Sequence, residues 1–332
     1  MLLVDALRDP SGITELDADG WTALLAMARA EQLLGTVARR LSGLSVPGAV
    51  ANILGEARIN AEYQRRSALW EADCARRALA GYPGKVVLMK GTAYAAAGLK
   101  ASEGRHIGDL DIMVARDDLP QVEAALLAAG WEWVKSDPYD DAYYRDHMHE
   151  LPPLIHKERD RMIDVHHTIL PLTARPKPDA VAMLEDAVAL ENGLYVLSPR
   201  DMVIHSAAHL FADGELDGGL RNLWDIHCLL AEFGDESFWQ MLKSRAEHHQ
   251  LWPAVYRAGR LAHRLYGTEI AKDWQRRNRW DNWYAKRLTA RDDWGRGTRK
   301  FIRLIFYIRS HWLRMPPLML ARHLWVKWRK PV

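Results

Sequence analysis

Apolar residues recur at helical spacing towards both ends of the chain, and a different pattern occupies the middle. From Trp21 to about residue 42, and again from Pro47 to Leu79, apolar side chains return every three or four positions among Arg, Glu and Ala, which predicts one helix in each stretch. A Gly-Tyr-Pro-Gly turn at 81–84 ends this part of the chain. Residues 1–82 are therefore predicted to form an N-terminal helical region.

Short apolar runs bounded by turn residues predict strands in the next segment. The runs lie at 85–89, 108–114, 131–134 and 161–169, with helical patterns at 93–99 and 117–130 between them. The segment from 137 to 161 is rich in His, Tyr and Asp, and it predicts a loop with a Pro-interrupted strand and a hairpin tip. We therefore predict a small mixed β-sheet core over residues 83–172.

The last part of the chain returns to helical spacing. Prolines at 171, 176 and 178 mark a linker, and Ser198-Pro199 is a helix start signal. Amphipathic patterns at 300–312 and 318–327 predict two further helices, separated by two prolines. The predicted fold class is α+β and mostly α, in which the sheet core is flanked by the N-terminal helices and by a C-terminal helical domain at 173–332.

Composition favours a soluble globular protein in a reducing compartment. The chain has 332 residues, of which 48% are hydrophobic and 27% charged, as in ordinary globular domains. Two cysteines, Cys74 and Cys228, are too few for a disulfide framework, and their separation excludes a Cys-x-x-Cys zinc pair. The N-terminus does not have the pattern of a signal peptide, and no run of 18 apolar residues occurs. We expect a cytoplasmic protein.

Charge is distributed unevenly along the chain. Residues 253–332 hold 20 Lys and Arg against 5 Asp and Glu, whereas the preceding part holds 25 against 38. The last third of the chain also holds most of the tryptophans, since 10 of the 14 lie from Trp224 onward. Residues 253–332 therefore predict contact with an anionic membrane surface, and so peripheral association, or with another polyanion. The alternative is that these are ordinary outer helices whose Arg stems cover aromatic rings.

Three carboxylates in strand-like segments are the first candidate chemistry. In a strand, Asp109 and Asp111 share one face, and the same holds for Asp164 and His166 in the later strand. Like charges on one face repel each other, and strand interiors disfavour Asp. A bound Mg²⁺ would remove this cost, because Mg²⁺ prefers carboxylate oxygens and substrate phosphates. The alternative is an edge strand with solvated acids.

The turn after the first predicted strand is a candidate phosphate site. Lys90-Gly91-Thr92 links that strand to a helix, where backbone N–H groups can receive phosphate and Thr92 can cap the helix or contact the ligand. Arg105, just before the paired acids, could clamp a phosphate or neutralise the acids. The alternative for the turn is an ordinary strand-to-helix connection.

Histidines form two further groups. His147, His149 and His156 lie in the predicted loop, where solvated or hydrogen-bonded side chains are the favoured interpretation. His205 and His209 are four residues apart on a predicted helix that precedes Asp225. That spacing can bind a metal, but the usual acid between the two histidines is absent, so a packed pair or a contact with substrate is favoured.

These motifs occur in an order that resembles a known superfamily. Strand-Lys-Gly-Thr-helix, Gly-Asp-Leu-Asp-Ile-Met-Val and Ile-Asp-Val-His resemble the nucleotidyltransferases of the polymerase-beta type. More narrowly, the chain is similar to bacterial uncharacterised nucleotidyltransferase-like proteins with Leu-Met-Lys-Gly, Arg-x-x-Gly-Asp-x-Asp and Ile-Asp-x-His motifs. The resemblance is specific over residues 85–170 and looser through His205, His209 and Asp225.

The resemblance implies roles for individual residues. It makes 83–172 a nucleotidyltransferase core with a two-metal-ion mechanism, in which Asp109, Asp111 and Asp164 are the catalytic residues. Asp109 and Asp111 bind the pair of Mg²⁺ or Mn²⁺ ions, and Asp164 completes the second metal site. The superfamily's usual Gly-Ser at the first turn is Gly91-Thr92 here. The residues expected to contact the nucleotide are Lys90, Gly91, Thr92, Arg105 and Gly108. The candidate acceptor pocket comprises His149, His166, His205, His209 and Asp225.

The implied activity is Mg-dependent transfer of an NMP group from an NTP, expected to be ATP, to an acceptor hydroxyl, with release of pyrophosphate. The acceptor could be a small molecule, a peptide or protein side chain, or an RNA end. One alternative is a non-catalytic nucleotide-binding or interaction module docked through its basic C-terminal helices. Another is a metal phosphohydrolase that uses His205, His209 and Asp225.

Overall fold

A mixed sheet lies at the centre of the chain, with helices before and after it. The computed structural model describes residues 1–135, 137–213, 215–276, 278–314, 320 and 325. Within them the sheet has seven strands in the order β3-β4-β5-β2-β1-β7-β6. The strands are β1 (Val87–Leu88), β2 (Leu110–Met113), β3 (Trp131–Trp133), β4 (Leu154–His156), β5 (Met162–His166), β6 (Val188–Ala189) and β7 (Tyr195–Val196). The predicted mostly helical α+β fold is confirmed.

Two of the strand pairings are parallel, and one of them is central to the site. β2 pairs with β5, and β1 pairs with β7, in parallel, while the other neighbours are antiparallel. The sheet continues beyond residue 172, because β6 and β7 come from the segment predicted to be a helical domain. The predicted boundary at 172 therefore falls between strands of one sheet.

Four helices precede the sheet: α1 (Leu2–Arg8), α2 (Ala18–Ala30), α3 (Leu34–Arg40) and α4 (Gly48–Ala78). The prediction of one helix from Trp21 to residue 42 was wrong, because Gln32 adopts a positive φ of 55° and separates α2 from α3. The predicted second helix is confirmed as α4. It is held against the sheet by an ion pair between Glu71 and Arg159, whose Nε lies 3.0 Å from Oε1.

Helices α5 (Lys90–Ala96), α6 (Leu119–Ala128), α7 (Pro138–His147) and α8 (Ala180–Glu185) connect the strands. The segment containing α7 was predicted to be a loop, and that prediction was wrong. Asp137 caps α7 by accepting hydrogen bonds from the backbone N–H groups of Tyr139 and Asp140, and Pro138 occupies its first turn. Short 3₁₀ turns lie at Pro10–Ile13, Lys100–Ser102, Arg116–Asp118 and Lys272–Gln275.

The helices after the sheet are α9 (Pro199–Ala208), α10 (Gly219–Phe233), α11 (Glu236–His248), α12 (Trp252–Tyr266), α13 (Asp281–Leu288) and α14 (Lys300–Arg314). A single turn of π-helix at His209–Asp213 follows α9, a feature that often accompanies functional sites. One continuous hydrophobic core joins residues of the N-terminal helices, the sheet and α9 to α14. The C-terminal helices therefore pack directly on the part of the chain that holds the carboxylates.

The basic end of the chain is described as far as α14. The helix predicted at 300–312 is confirmed by α14, whereas the one predicted at 318–327 lies outside the described residues, apart from 320 and 325. Among the residues that the structure describes, no helix is both long and apolar enough to cross a membrane.

Candidate active site

The parallel pairing of β2 with β5 brings two carboxylates together. Asp111 lies opposite Asp164 in this register, and the apolar residues that alternate with them, such as Ile112 and Val165, are buried. His166 follows Asp164 by two positions and so shares its face. One ligand atom from each of Asp111, Asp164 and His166 lies within 4.8 Å of the others. We call these three residues the carboxylate cluster.

Asp109 lies at the exposed edge of this cluster. β2 begins at Leu110, so Asp109 precedes the strand and is exposed, whereas Asp111 is buried. The two acids therefore differ in environment more than the predicted shared strand face implied. Partial burial and the charge of Asp111 raise the pKa of Asp109 above its usual value. A role for Asp109 in metal binding remains a prediction.

Asp111 is the best-stabilised carboxylate of the cluster. Its Oδ1 accepts a hydrogen bond from Lys90 Nζ at 2.5 Å and lies 3.1 Å from His166 Nε2. Burial alone would raise the pKa of Asp111, but Lys90 and His166 hold it well below its usual range. Asp111 is therefore ionised at neutral pH.

Asp164 is the less stabilised carboxylate of the cluster. Burial, and then the charge of Asp111, raise the pKa of Asp164 to about 7, although Lys90 opposes this rise. A divalent cation would relieve the repulsion between the two carboxylates. The donors fit such an ion, because carboxylate oxygens suit Mg²⁺ and Mn²⁺, and the nearby imidazole of His166 suits Mn²⁺.

The Lys90-Gly91-Thr92 turn has a different construction from the one predicted. Lys90 begins α5 with a positive φ of 50°, and its ammonium group contacts Asp111. Thr92 is 1% exposed, and α5 has no side-chain cap, so the predicted capping role of Thr92 was wrong. Contacts of these residues with a nucleotide remain predictions.

Gly91 makes room for Arg105. A Cβ atom at Gly91 would lie 2.1 Å from Arg105 Nη1. Arg105 is 8% exposed and its Nε lies 3.1 and 3.0 Å from the two carboxylate oxygens of Asp225. Arg105 thus forms an ion pair with Asp225 of α10. Its predicted partners were a bound phosphate or the carboxylates of Asp109 and Asp111. This ion pair fixes α10 against the first turn of α5.

Gly108 is in open surroundings. A Cβ atom there would meet nothing within 4 Å, and the residue is exposed beside Asp109. The backbone at this position is accessible to a ligand that approaches the carboxylate cluster from outside.

The helical half closes the inner side of the cluster around a small cavity. The cavity has a volume of about 30 Å³, which holds one or two water molecules. Its lining includes Lys90, Tyr94, Arg105, His205, Ser206, His209 and Asp225. Burial, and then the charge of Lys90, hold the pKa of His205 well below its usual range, so this imidazole is neutral. The candidate acceptor residues His205 and His209 therefore lie beside Lys90.

The phosphohydrolase alternative has no support from this geometry. Within the described residues, the groups of three or more side chains that could hold a metal do not include His205, His209 or Asp225. Asp225 is already engaged by Arg105, as its distances show.

Glu150 lies at the site but was not among the predicted site residues. Its Oε2 lies 3.4 Å from His166 Nδ1 and 3.7 Å from His149 Nε2, so the three residues form a group behind the carboxylate cluster. Burial, and then the charges of His166 and Lys90, hold the pKa of His149 well below its usual range. The only sequence signal was the position of Glu150 directly after His149, in a segment without periodicity.

A comparison with protein-family models identifies a match. The model of a protein family described as an uncharacterised nucleotidyltransferase matches residues 17–267. That range extends from the start of α2 to the end of α12, so it includes every strand and the carboxylate cluster. No curated protein matches the chain.

Proposed function

The chain belongs to the uncharacterised nucleotidyltransferase family, and we propose that it transfers the NMP group of an NTP, with ATP as the expected donor, to an acceptor hydroxyl. The observation that carries this proposal is the carboxylate cluster, in which Asp111 and Asp164 face each other on adjacent strands with unbalanced negative charge. The bond formed joins the acceptor oxygen to the α-phosphorus, and the bond broken releases pyrophosphate.

Asp109, Asp111 and Asp164 would hold the divalent ion, which we propose to be Mg²⁺ or Mn²⁺. When bound, such an ion stabilises negative charge on the attacking and leaving oxygens of an in-line displacement. Asp164 would accept the proton of the acceptor hydroxyl, because burial and the charge of Asp111 make it the more basic carboxylate of the pair. Asp111, whose pKa Lys90 and His166 hold low, is the weaker base.

The nucleotide would approach from the side of Gly108 and Asp109. That side is exposed, whereas the cavity of about 30 Å³ beside Lys90 is far too small for a triphosphate. Lys90 would offset negative charge on the phosphates and on Asp111. Arg105 and Asp225 would act by positioning α5 and α10, and His149, His166, His205 and His209 would line the acceptor side.

Asp111→Asn tests this proposal. The assay measures pyrophosphate release from each NTP with Mg²⁺ and transfer of an α-phosphate label to components of a cell extract. We expect the variant to lose more than about a hundredfold in rate, since loss of a metal ligand costs more than loss of its supporting contacts. The matched control is Asp117→Asn, at an exposed acid just after β2. Full turnover in Asp111→Asn would contradict the proposal.

One observation favours the non-catalytic alternative. Lys90 Nζ contacts Asp111 at 2.5 Å, so an ammonium group already provides part of the positive charge that a metal ion would bring. A nucleotide-binding module would then bind ATP equally well with Mg²⁺ and with a chelator, and it would release no pyrophosphate from any NTP. Titration calorimetry under both conditions separates the two functions.

A further inference from the structure

His149, Glu150 and His166 converge behind the carboxylate cluster at distances that are unusual for hydrogen bonds. Glu150 Oε2 lies 3.4 Å from His166 Nδ1 and 3.7 Å from His149 Nε2. Both distances are too long for good hydrogen bonds. They resemble the separation of about 3.4 Å between ligand atoms that each lie about 2.1 Å from one tetrahedral metal ion.

The imidazole of His149 lacks the partners that a buried ring requires. His149 is 9% exposed, and its Nδ1 has no hydrogen-bond partner among the described residues. Its Nε2 faces Glu150 from beyond hydrogen-bond distance. Nε2, the nitrogen that faces Glu150, is therefore available to an ion held between the two side chains.

His166 has the arrangement found in metal-binding histidines. Its Nδ1 faces Glu150, and its Nε2 lies 3.1 Å from Asp111 Oδ1. A histidine that binds a metal through one nitrogen usually donates the N–H of the other to a carboxylate. An ion on Nδ1 would therefore fix the proton on Nε2 and hold the carboxylate of Asp111 in place.

We propose that His149, Glu150 and His166 form a second cation site, next to the carboxylate cluster and sharing His166 with it, for a borderline transition ion such as Zn²⁺. Two imidazoles and one carboxylate are a donor set that zinc accepts, and three protein ligands leave a fourth position for water. Mg²⁺ is disfavoured here because it prefers oxygen donors. The site does not depend on nucleotidyl transfer, because none of its three residues must contact a nucleotide.

Zinc titration tests the second site directly. Protein stripped with a chelator is titrated with Zn²⁺ against a chromophoric competitor, and its zinc content after dialysis is measured by mass spectrometry. We expect one tightly bound equivalent, weakened at least about tenfold in Glu150→Gln and in His149→Asn. The matched controls are Glu132→Gln and His248→Asn, which alter exposed side chains. Circular dichroism of the stripped variants shows that they are folded.

Three outcomes would overturn the proposal. The first is that the parent protein binds no zinc. The second is that Glu150→Gln and His149→Asn both bind zinc as tightly as the parent does. The third is that Asp164→Asn loses as much zinc affinity as Glu150→Gln. The last outcome would place the ion in the carboxylate cluster. If His149→Asn does not fold, the absorption spectrum of bound Co²⁺ in Glu150→Gln decides, because loss of a ligand changes it. A protein without nucleotidyl transfer would still show this binding, so the two proposals fail separately.

A second, independent observation concerns an exposed apolar face on α14. Five side chains at helical spacing, between 36% and 70% exposed, form this face. They are Phe301, Leu304, Ile305, Ile308 and Trp312. The opposite side of α14, at Phe306 and Ser310, is buried against the protein. We call the five exposed side chains the apolar face of α14.

The charge of the surrounding chain limits what can cover this face. From Trp294 to the end of the sequence there are 10 Lys and Arg and no Asp or Glu. A second copy of the chain would bring two such basic segments together, which like-charge repulsion opposes. Nucleic acid would match the charge, but aliphatic side chains such as Leu304 and Ile308 offer nothing to phosphates or base edges.

We infer that the apolar face of α14 inserts into an anionic lipid surface, with Lys300 at the headgroups. A basic helix with aliphatic and aromatic side chains on one face is the usual form of an interfacial helix. This inference rests on α14, which lies outside the family match at residues 17–267, and it is independent of the proposed activity.

Vesicle sedimentation tests the lipid contact. We expect the full chain to sediment with vesicles of phosphatidylglycerol and phosphatidylcholine, and not with phosphatidylcholine alone. The double variant Leu304→Gln, Ile308→Gln should bind these vesicles at least about tenfold more weakly, because two aliphatic side chains that insert into the lipid are replaced by polar ones. The control, Ile59→Gln with Val181→Gln, replaces equally exposed apolar side chains elsewhere.

Equal sedimentation of the double variant and the parent would overturn the inference. So would a dimer in size-exclusion chromatography that the double variant dissociates, since the face would then be covered by a second copy. Binding to a single-stranded RNA oligonucleotide without binding to anionic vesicles would also overturn it. In that case the basic side chains would contact the phosphates, and the apolar face of α14 would have no part in binding.

Discussion

Asp164→Asn changes the charge of the carboxylate cluster at almost constant volume, and it should make the metal-free protein more stable in a pH-dependent way. In the folded protein, burial and the charge of Asp111 raise the pKa of Asp164 from 3.8 to about 7. In the unfolded chain this carboxyl returns to its ordinary pKa. Between the two values the native state binds more protons, so its stability falls as pH rises.

The magnitude follows from the width of this pH window. Each pH unit between the two pKa values contributes about 1.4 kcal/mol. From pH 5 to pH 8 about two units of the window are crossed, so the parent should lose about 3 kcal/mol that Asp164→Asn does not lose. Below pH 4 the two proteins should differ little, because Asp164 is then protonated in both states.

Urea unfolding in the presence of a chelator, at pH 5 and pH 8, measures this difference. The control is Asp117→Asn, at an exposed acid outside the carboxylate cluster. Saturating Mg²⁺ at pH 8 should stabilise the parent and narrow its gap to Asp164→Asn, because the ion binds the native state alone. A stability difference that is equal at pH 5 and pH 8 would refute the close opposition of Asp111 and Asp164.

Two further predictions concern the contacts that hold the site together, and both are measured by urea unfolding. Gly91→Ala should lower the free energy of unfolding by about 1–3 kcal/mol, because the added Cβ would overlap Arg105 Nη1. Gly108→Ala, whose Cβ would meet nothing within 4 Å, should change it by no more than about 0.5 kcal/mol. Equal effects of the two substitutions would contradict the packing of Arg105 on Gly91. Asp225→Asn leaves the buried charge of Arg105 without its counter-ion and should cost about 3–5 kcal/mol. The double variant Arg105→Gln, Asp225→Asn should cost less than the sum of the two single changes, and strict additivity would contradict a direct ion pair.

The central strands could be predicted because their pattern is local. Alternating acids and apolar residues at 108–114, and again around Asp164, fix which side chains share a face. Their parallel pairing then brings Asp111 and Asp164 together. By contrast, β6 and β7 have two residues each, which is too short to show any period. They join the sheet because β7 pairs with β1 and β6 pairs with β7, and the sequence of these segments does not show the pairing with β1.

Helix α7 was missed for a related reason. It has no buried residues, so it lacks the apolar stripe by which a helix is recognised in a sequence. The cap at Asp137 and the proline at 138 were visible, but caps without periodicity are weak signals. Glu150 was missed because it acts through His166, and that contact depends on how the segment after α7 returns to the sheet.

The partner of Arg105 could not be predicted from sequence proximity. Asp109 and Asp111 are the nearest acids along the chain, yet Arg105 pairs with Asp225, which is 120 positions away. Burial decides the choice, because a guanidinium that is 8% exposed needs a carboxylate with fixed bidentate geometry. Asp225 offers this geometry from α10, with both of its carboxylate oxygens close to the Nε of Arg105.

At the start of α5, the positive φ is adopted by Lys90 and not by the glycine that follows it. Glycine in a strand-to-helix turn is expected to adopt the positive φ, but here Lys90 does so, at 50°, while Gly91 is required by the approach of Arg105. A left-handed conformation costs a lysine about 1–2 kcal/mol, and such strain persists where the surroundings impose it. The contact between Lys90 Nζ and Asp111 at 2.5 Å is the interaction that this conformation permits. An ion bound to Asp111 would compete with that ammonium group, so the proposed metal binding would be coupled to the backbone conformation of Lys90.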